Sequence, residues 1–276
     1  MAQALESGPQ LSSRELDRII KLVYERSGIT LHAGKRELVI ARLQKRLRAL
    51  GHRTFGEYIS YAESDPTGEE IVTLLDAIAT NHTQFFREAS HFDYIVEQIV
   101  PALKPGSPLR LWSAPCSTGE EVYTMAMTLQ MRASQQAYQI LGSDISTKAL
   151  AAAKAGVYKL AAVQSLPREV LRRFFEKGLG EQEGLVRVQR DLRRHISFRH
   201  LNLLEIDDLG ERFEVIFCRN VMIYFDRAVQ QRVVSMLERH LVPGGHLFIS
   251  HSESLNGLTH GLQWVAPATF QRGTRG

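Results

Sequence analysis

Apolar residues recur along this chain with two different periods, and the change from one to the other divides it. Over roughly the first ninety residues the period is helical. Ser12 and Glu15 form a capping box that opens a helix with Leu16, Ile19, Ile20 and Val23 on one face, and Gly28 is placed to stop it. A second helix is predicted over 35–50, with Val39, Leu43, Leu47 and Leu50 as its stripe and Gly51 as its end. Two shorter helices follow, over 54–63 (Phe55, Tyr58 and Ile59 inward) and 67–79 (Ile71, Leu74, Leu75 and Ile78 inward). A connecting helix over 91–103 leads to a join punctuated by Pro101, Pro105, Gly106 and Pro108.

From Leu109 onward short apolar runs alternate with helical stretches. Leu109, Leu111 and Trp112 make a buried strand; the chain turns at 115–119 and enters a helix bearing Val122, Met125, Ala126 and Leu129 on one face. Ser117 and Glu120 have the spacing of a capping box at that helix start. A second strand ends at Asp144, a third near 202–204, and a fourth runs over 214–220. A helix to Leu241, a turn at 243–245, a strand over 246–250 and a final antiparallel edge strand over 263–271 complete the pattern. Residues 158–175 read as helical, with a break at Leu166-Pro167. The glycines 178, 180 and 184, the alternating 185–188 and the run 195–199 predict a small antiparallel excursion over 177–199. The expected fold is α/β: a doubly wound, Rossmann-like domain over 109–276 with that β insertion, behind an all-α domain over 1–88 and a linker helix over 89–108.

Composition adds constraints. Of 276 residues, 44% are hydrophobic and 23% charged, as in an ordinary globular protein. No apolar run approaches the ~20 residues that span a bilayer. Residues 1–10 carry no basic-then-apolar export signal, and two cysteines suit a reducing compartment, so a cytoplasmic protein without membrane insertion is expected. The net charge of +4 is mild but uneven. Lys35, Arg36, Arg42, Lys45, Arg46 and Arg48 share one helix with Glu37 as the opposing charge, which points to an acidic partner.

The strand–turn–helix corner over 109–123 is the candidate chemistry. A helix N-terminus after a small-residue turn favours a carboxylate or phosphate, although Gly119 alone is no dinucleotide fingerprint. Asp144, some 20 residues past the turn, is placed to take the hydroxyls of a ribose. Asn81, Thr83 and Arg87 arrive together just before the boundary, and Arg219 and Asn220 sit at the tip of the fourth strand. Polar groups gathered at strand ends predict one cleft at the top of the sheet.

The strings N-x-T-x-F-F-R-E, W-S-A-P-C-S-T-G-E-E, S-D-I, N-L-L, F-C-R-N-V-M-I-Y-F and H-S-E, in that order over about 11–270, resemble the bacterial chemotaxis receptor glutamate methyltransferases. The resemblance implies S-adenosylmethionine as methyl donor, S-adenosylhomocysteine as product, and methyl esters on glutamates in the cytoplasmic signalling domain of receptors. It implies that Asn81, Thr83 and Arg87 contribute to the donor site, that Glu120 faces the methionine ammonium, Asp144 the ribose and Asn202-Leu203 the adenine, and that Arg219-Asn220 form the cleft floor. Arg87 and Tyr224 are the candidates for orienting the acceptor carboxylate. On the receptor side the candidates are Lys35, Arg42, Lys45 and Arg46 on the basic helix. Gly178 and Gly180 join them in the insertion, on which some members hold the receptor's C-terminal peptide. Pro115-Cys116 in the motif turn and Val122, where many relatives carry proline, are the visible departures. Glutamate is ionised at neutral pH and a sulfonium is a good leaving group, so neither a general base nor a metal is expected. A pI of 9.1 suggests nucleic acid. However, Arg219-Asn220-Val221 stands where a Pro-Pro-Tyr-type base pocket would follow the fourth strand, so no nucleic-acid partner is expected.

Overall fold

A computed structural model describes residues 9–79 and 82–274. The chain forms two compact units, dividing at residue 80, with Tyr224–Asp226 grouped with the first. The first unit is helical: α1 (Ser13–Ser27), a 3-10 turn (Ala33–Lys35), α2 (Arg36–Leu50), α3 (Phe55–Ser64) and α4 (Glu69–Ile78). Both reciprocal caps form. Ser12 accepts from the Glu15 amide and Glu15 from the Ser12 amide, and Thr54 and Glu57 repeat this at α3. Gly28 and Gly51 end α1 and α2 in the left-handed conformation. The core gathers Leu16, Ile19, Val23, Val39, Leu43, Leu47, Phe55, Tyr58, Ile59 and Leu74.

Most arginines of α2 are not free to meet a partner. Arg46 holds the buried Glu70 carboxylate, its Nε donating at 3.0 Å, while the Tyr58 hydroxyl donates to the same carboxylate at 2.9 Å. Arg42 donates to the carbonyls of Ile78 and Ala79 at the end of α4. Arg36 donates to the Leu11 carbonyl and, at 3.0 Å, to the Ser13 hydroxyl. Arg42 and Arg46, expected on the receptor side, tie α2 to α4 within this unit. Lys35, Lys45 and Arg48 remain exposed.

The second unit opens with one continuous helical rod: α5 (Ser90–Tyr94), a π-helical stretch (Ile95–Ile99) and α6 (Val100–Ala102). Phe92, Ile95 and Ile99 on this rod belong to the same core as Leu111, Val122 and Phe217. The segment 89–108 is thus part of the second unit, not a linker. The main sheet follows from β1 (Leu109–Ser113), α7 (Glu120–Arg132), β2 (Tyr138–Asp144) and α8 (Thr147–Ala155). After them come β3 (Val157–Lys159), α9 (Leu160–Val163), α10 (Arg168–Phe174), β4 (Phe175–Lys177), β5 (Leu185–Val188) and α11 (Arg190–Arg193). The chain closes with β6 (Ile196–His200), β7 (Phe213–Phe217), α12 (Arg227–His240), β8 (Leu241–Phe248), β9 (Leu262–Ala266) and β10 (Thr269–Arg272).

Seven strands lie in the order β6-β2-β1-β7-β8-β10-β9, the first five parallel and the last two antiparallel. The order reverses between β1 and β2 on one side and β7 on the other, which puts the switch-point crevice above β1. Three expectations are revised. The antiparallel insertion is β3-β5-β4, spanning 157–188, because 196–200 pairs in parallel with β2 and belongs to the main sheet. The stretch 158–175 begins in a strand, β3, and its helical part breaks at Pro167 as expected. The C-terminal hairpin supplies two strands, and its inner one, β10, separates β8 from the edge strand β9. Among the described residues no helix is long and apolar enough to cross a membrane.

Candidate active site

The crevice is built from the loop between β1 and α7. The Cys116 amide donates to the Ser143 carbonyl and the Ser117 amide to Asp144 Oδ2, each at 2.8 Å, which stitches the loop to the end of β2. The Ser146 amide donates to Asp144 Oδ1 at 2.8 Å. Two backbone donors therefore fix this carboxylate, 5% exposed, at the strand tip. Ser146, not Asp144, caps α8: its hydroxyl accepts from the Ala149 amide at 3.0 Å.

At α7 the expected Ser117–Glu120 capping box does not form. The N-cap is Gly119, with no side-chain cap bond, and its φ of +95° together with Ala153 Cβ only 2.9 Å from any added Cβ explains the glycine. Glu120 is left without a capping role. It is buried, accepts from the Thr118 hydroxyl at 2.6 Å, and forms no ion pair among the described residues. Burial pushes its pKa up, the Thr118 hydrogen bond opposing. A buried carboxylate without an ion-pair partner among the described residues can take a cationic ligand group.

The tip of β7 is an ionic hub. The Arg219 side chain is 1% exposed; it lies 3.1 Å from Glu88 Oε2 and 3.4 Å from Glu121 Oε2, and donates to the Arg87 carbonyl at 2.6 Å. Glu121 also accepts from the Ser113 hydroxyl at 2.8 Å. Burial raises the Glu121 carboxyl, partly offset by Arg219 and Ser113. Burial acts upward on Glu88 too, but the Ser250 hydroxyl and then Arg219 outweigh it and hold the carboxyl below its usual range. Arg219, expected on the cleft floor, stands at the tip of β7 with its guanidinium held by these partners. Asn220, at φ +60°, donates from its amide to Glu253 Oε2 at 3.0 Å and from its side chain to Ser250 Oγ at 2.8 Å. Glu253 also takes the amides of Met222 and Ser250 at 2.9 Å, clamping the loop after β7. Phe86, Glu88, Ser117 and Asn220 all adopt positive φ, so the backbone around this crevice is held away from its relaxed conformations.

Thr83 and Arg87 lie in the segment entering α5, half-buried, and Arg87 Nη1 donates to the His82 carbonyl at 3.3 Å. Asn81 lies outside the described residues. Asn202 and Leu203 follow β6 after Leu201, and Asn202 Oδ1 accepts from the Leu204 amide at 3.1 Å. Tyr224 groups with the first unit, where its carbonyl accepts from the Thr30 amide at 2.8 Å. In the loop between β4 and β5, Gly180 has φ +59°, whereas Gly178 is tight because an added Cβ would sit 2.0 Å from the Gln182 carbonyl oxygen. Sequence reasoning passed over Glu88, Glu121 and Glu253. The only signal was that the first two follow Arg87 and Glu120 directly and the third closes the H-S-E string.

Residues 81–270 match the CheR methyltransferase, SAM binding domain, and residues 14–79 the CheR methyltransferase, all-alpha domain. This chain belongs to the CheR methyltransferase family. Its relatives include the chemotaxis protein methyltransferases of Klebsiella aerogenes (42% identical, covering 94% of this chain and 89% of the relative) and Escherichia coli K12 (40%, covering 90% and 87%). That of Borreliella burgdorferi is 35% identical, covering 95% of each. A solved structure, the glycopeptide N-methyltransferase MtfA complexed with sinefungin, aligns at TM-score 0.36 and 14% identity over 67% of this chain and 60% of that one, too loosely to add to the fold described above. Family membership makes the protein an S-adenosylmethionine-dependent methyltransferase, and the residues present fit that donor. The unpaired Glu120 carboxylate suits an ammonium, and the fixed Asp144 suits a diol.

Proposed function

We propose that the protein transfers the methyl group of S-adenosylmethionine to glutamate side chains in the cytoplasmic signalling domain of chemotaxis receptors, giving methyl esters. The observation that carries this reading is the pair of buried carboxylates, Glu120 and Asp144, flanking the switch-point crevice. Bound S-adenosylmethionine supplies a methyl on a sulfonium, a group that leaves as a neutral thioether. Glu120 pairs with the donor's ammonium, Asp144 accepts from its ribose, and Asn202 and Leu203 border its adenine. Thr83 and Arg87 complete the donor site. The acceptor carboxylate arrives ionised, so no protein group has to remove a proton. What remains is to align oxygen, methyl carbon and sulfur and to exclude water. Arg87 is the group that orients the acceptor.

Receptor recognition rests on Lys35, Lys45 and Arg48 of α2 and on the insertion. The β3-β5-β4 sheet offers β4 as an edge, and the loop beyond it exposes Leu179 at 85%. A receptor's C-terminal peptide adds to such an edge as an extra strand. Tethering raises local substrate concentration toward the millimolar range without altering the crevice. Deleting Leu179 and Gly180 should abolish binding of a tailed receptor and leave S-adenosylhomocysteine affinity unchanged; undiminished binding would refute the tether. The function itself is tested by incubating the protein with methyl-labelled donor and a receptor signalling fragment. Label should appear on the fragment, and its absence from every acidic receptor fragment supplied would overturn the assignment.

A further inference from the structure

Beside the Arg219 hub lies a cluster that methyl transfer does not use. One ligating atom from each of Glu88, His91 and His251 lies within 4.8 Å of the others. His91 is 2% exposed and enclosed by Phe217, Phe248 and the His251 ring, centroids 6.0, 5.2 and 4.9 Å away. Its Nδ1 is 3.6 Å from Glu88 Oε2, and neither ring nitrogen completes a hydrogen bond. The Pro267 carbonyl interacts with the ring without closing a bond of normal geometry.

We propose that Glu88, His91 and His251 form a binding site for a divalent transition metal of the zinc, cobalt or nickel type. Two imidazoles and a carboxylate, with coordination positions left open, are the donor set those ions take. The buried His91 ring faces the Glu88 carboxylate oxygen at 3.6 Å, with neither ring nitrogen hydrogen-bonded among the described residues, and a cation between them would engage both. Glu88 also faces the buried guanidinium of Arg219, which it shares with Glu121. The surroundings also provide outer support, since the Ser250 hydroxyl donates to Glu88 Oε1 at 2.8 Å and the Pro267 carbonyl borders His91. Tetrahedral ligation at about 2.1 Å sets ligand atoms about 3.4 Å apart, so the cluster must contract by roughly an ångström. His251 is exposed and can turn inward to supply that movement. The metal competes with Arg219 for Glu88 Oε2, and Arg219 also holds the Arg87 carbonyl.

The test uses the untagged full chain, freed of metal and titrated with Co²⁺. One equivalent should bind with visible absorption bands of a four- or five-coordinate ion, and Zn²⁺ should displace it. His251→Ala removes an exposed side chain, and Glu88→Gln keeps the shape of the carboxyl; each should weaken Co²⁺ binding at least tenfold, whereas His52→Ala in the helical unit should not. Failure of the parent to bind a stoichiometric equivalent, or equal affinity in parent, His251→Ala and Glu88→Gln, would overturn the site.

Discussion

Replacing Arg219 by methionine keeps the apolar length of the side chain and removes the guanidinium. Glu88 and Glu121, whose side chains are 16% and 14% exposed, are then left beside each other without their cation, and the Arg87 carbonyl loses its donor. Breaking a buried pair from one side costs about 3–5 kcal/mol. The low end applies here, because burial already raises the Glu121 carboxyl and eases its protonation. At about 2–4 °C per kcal/mol for a unit of this size, the Tm should fall by roughly 6–12 °C. Adding Glu121→Gln removes one surplus charge and should recover about 1–2 kcal/mol, visible as coupling in a double-mutant cycle. The sign with pH is fixed. In the parent, Glu88 is held below its usual range, so its contribution is present at neutral pH and fades as pH falls through its pKa. In the variant the Glu121 carboxyl, already raised by burial, loses the Arg219 charge that opposes the rise, and protonating it relieves the repulsion. The deficit of the variant should therefore shrink between pH 7 and pH 5. Urea unfolding followed by tryptophan fluorescence measures both quantities. A deficit under about 1 kcal/mol, or one that is the same at pH 5 and pH 7, would refute the hub.

Three further outcomes are expected. Asp144→Ala should weaken S-adenosylhomocysteine binding at least tenfold by calorimetry, since a charge-assisted hydrogen bond contributes roughly 1.5–3 kcal/mol; unchanged affinity would remove Asp144 from the ribose. Charge reversal at Lys45 and Arg48 should raise the Michaelis constant for receptor and flatten its salt dependence with donor affinity unaltered, whereas Arg46→Glu, which strands the buried Glu70, should instead lower the stability of the helical unit by about 3 kcal/mol or more. Burial holds His246 at about pKa 4, so the unfolded chain takes up a proton between pH 6.5 and 4 that the native state refuses. Stability should rise with pH over that window by up to about 1.4 kcal/mol per unit on this account, and His246→Phe should remove that part of the slope.

Local signals in the sequence were enough for the helical unit. Ser12 with Glu15 and Gly28 bracket α1 within a residue because capping is a short-range affair. The αβ alternation likewise gave the sheet and placed Asp144 at a strand tip. What local pattern could not give was pairing. Residues 195–199 alternate as well for a parallel strand as for an antiparallel one, and only their register with β2 assigns them to the main sheet. The charges of α2 read as one basic face, yet Arg42 and Arg46 find their partners on α4, some thirty residues away in sequence. Glu121 was hidden for the same reason: next to Glu120 it reads as a solvated pair, and its burial against Arg219 joins positions nearly a hundred residues apart.

Methyl transfer to a carboxylate makes a bond that alkali breaks, and transfer to nitrogen does not. The receptor fragment labelled by this protein from methyl-labelled S-adenosylmethionine should therefore release its label as methanol in mild alkali, with the lost label mapping to glutamate residues. Label that survives alkali would show a nitrogen acceptor and contradict the assignment.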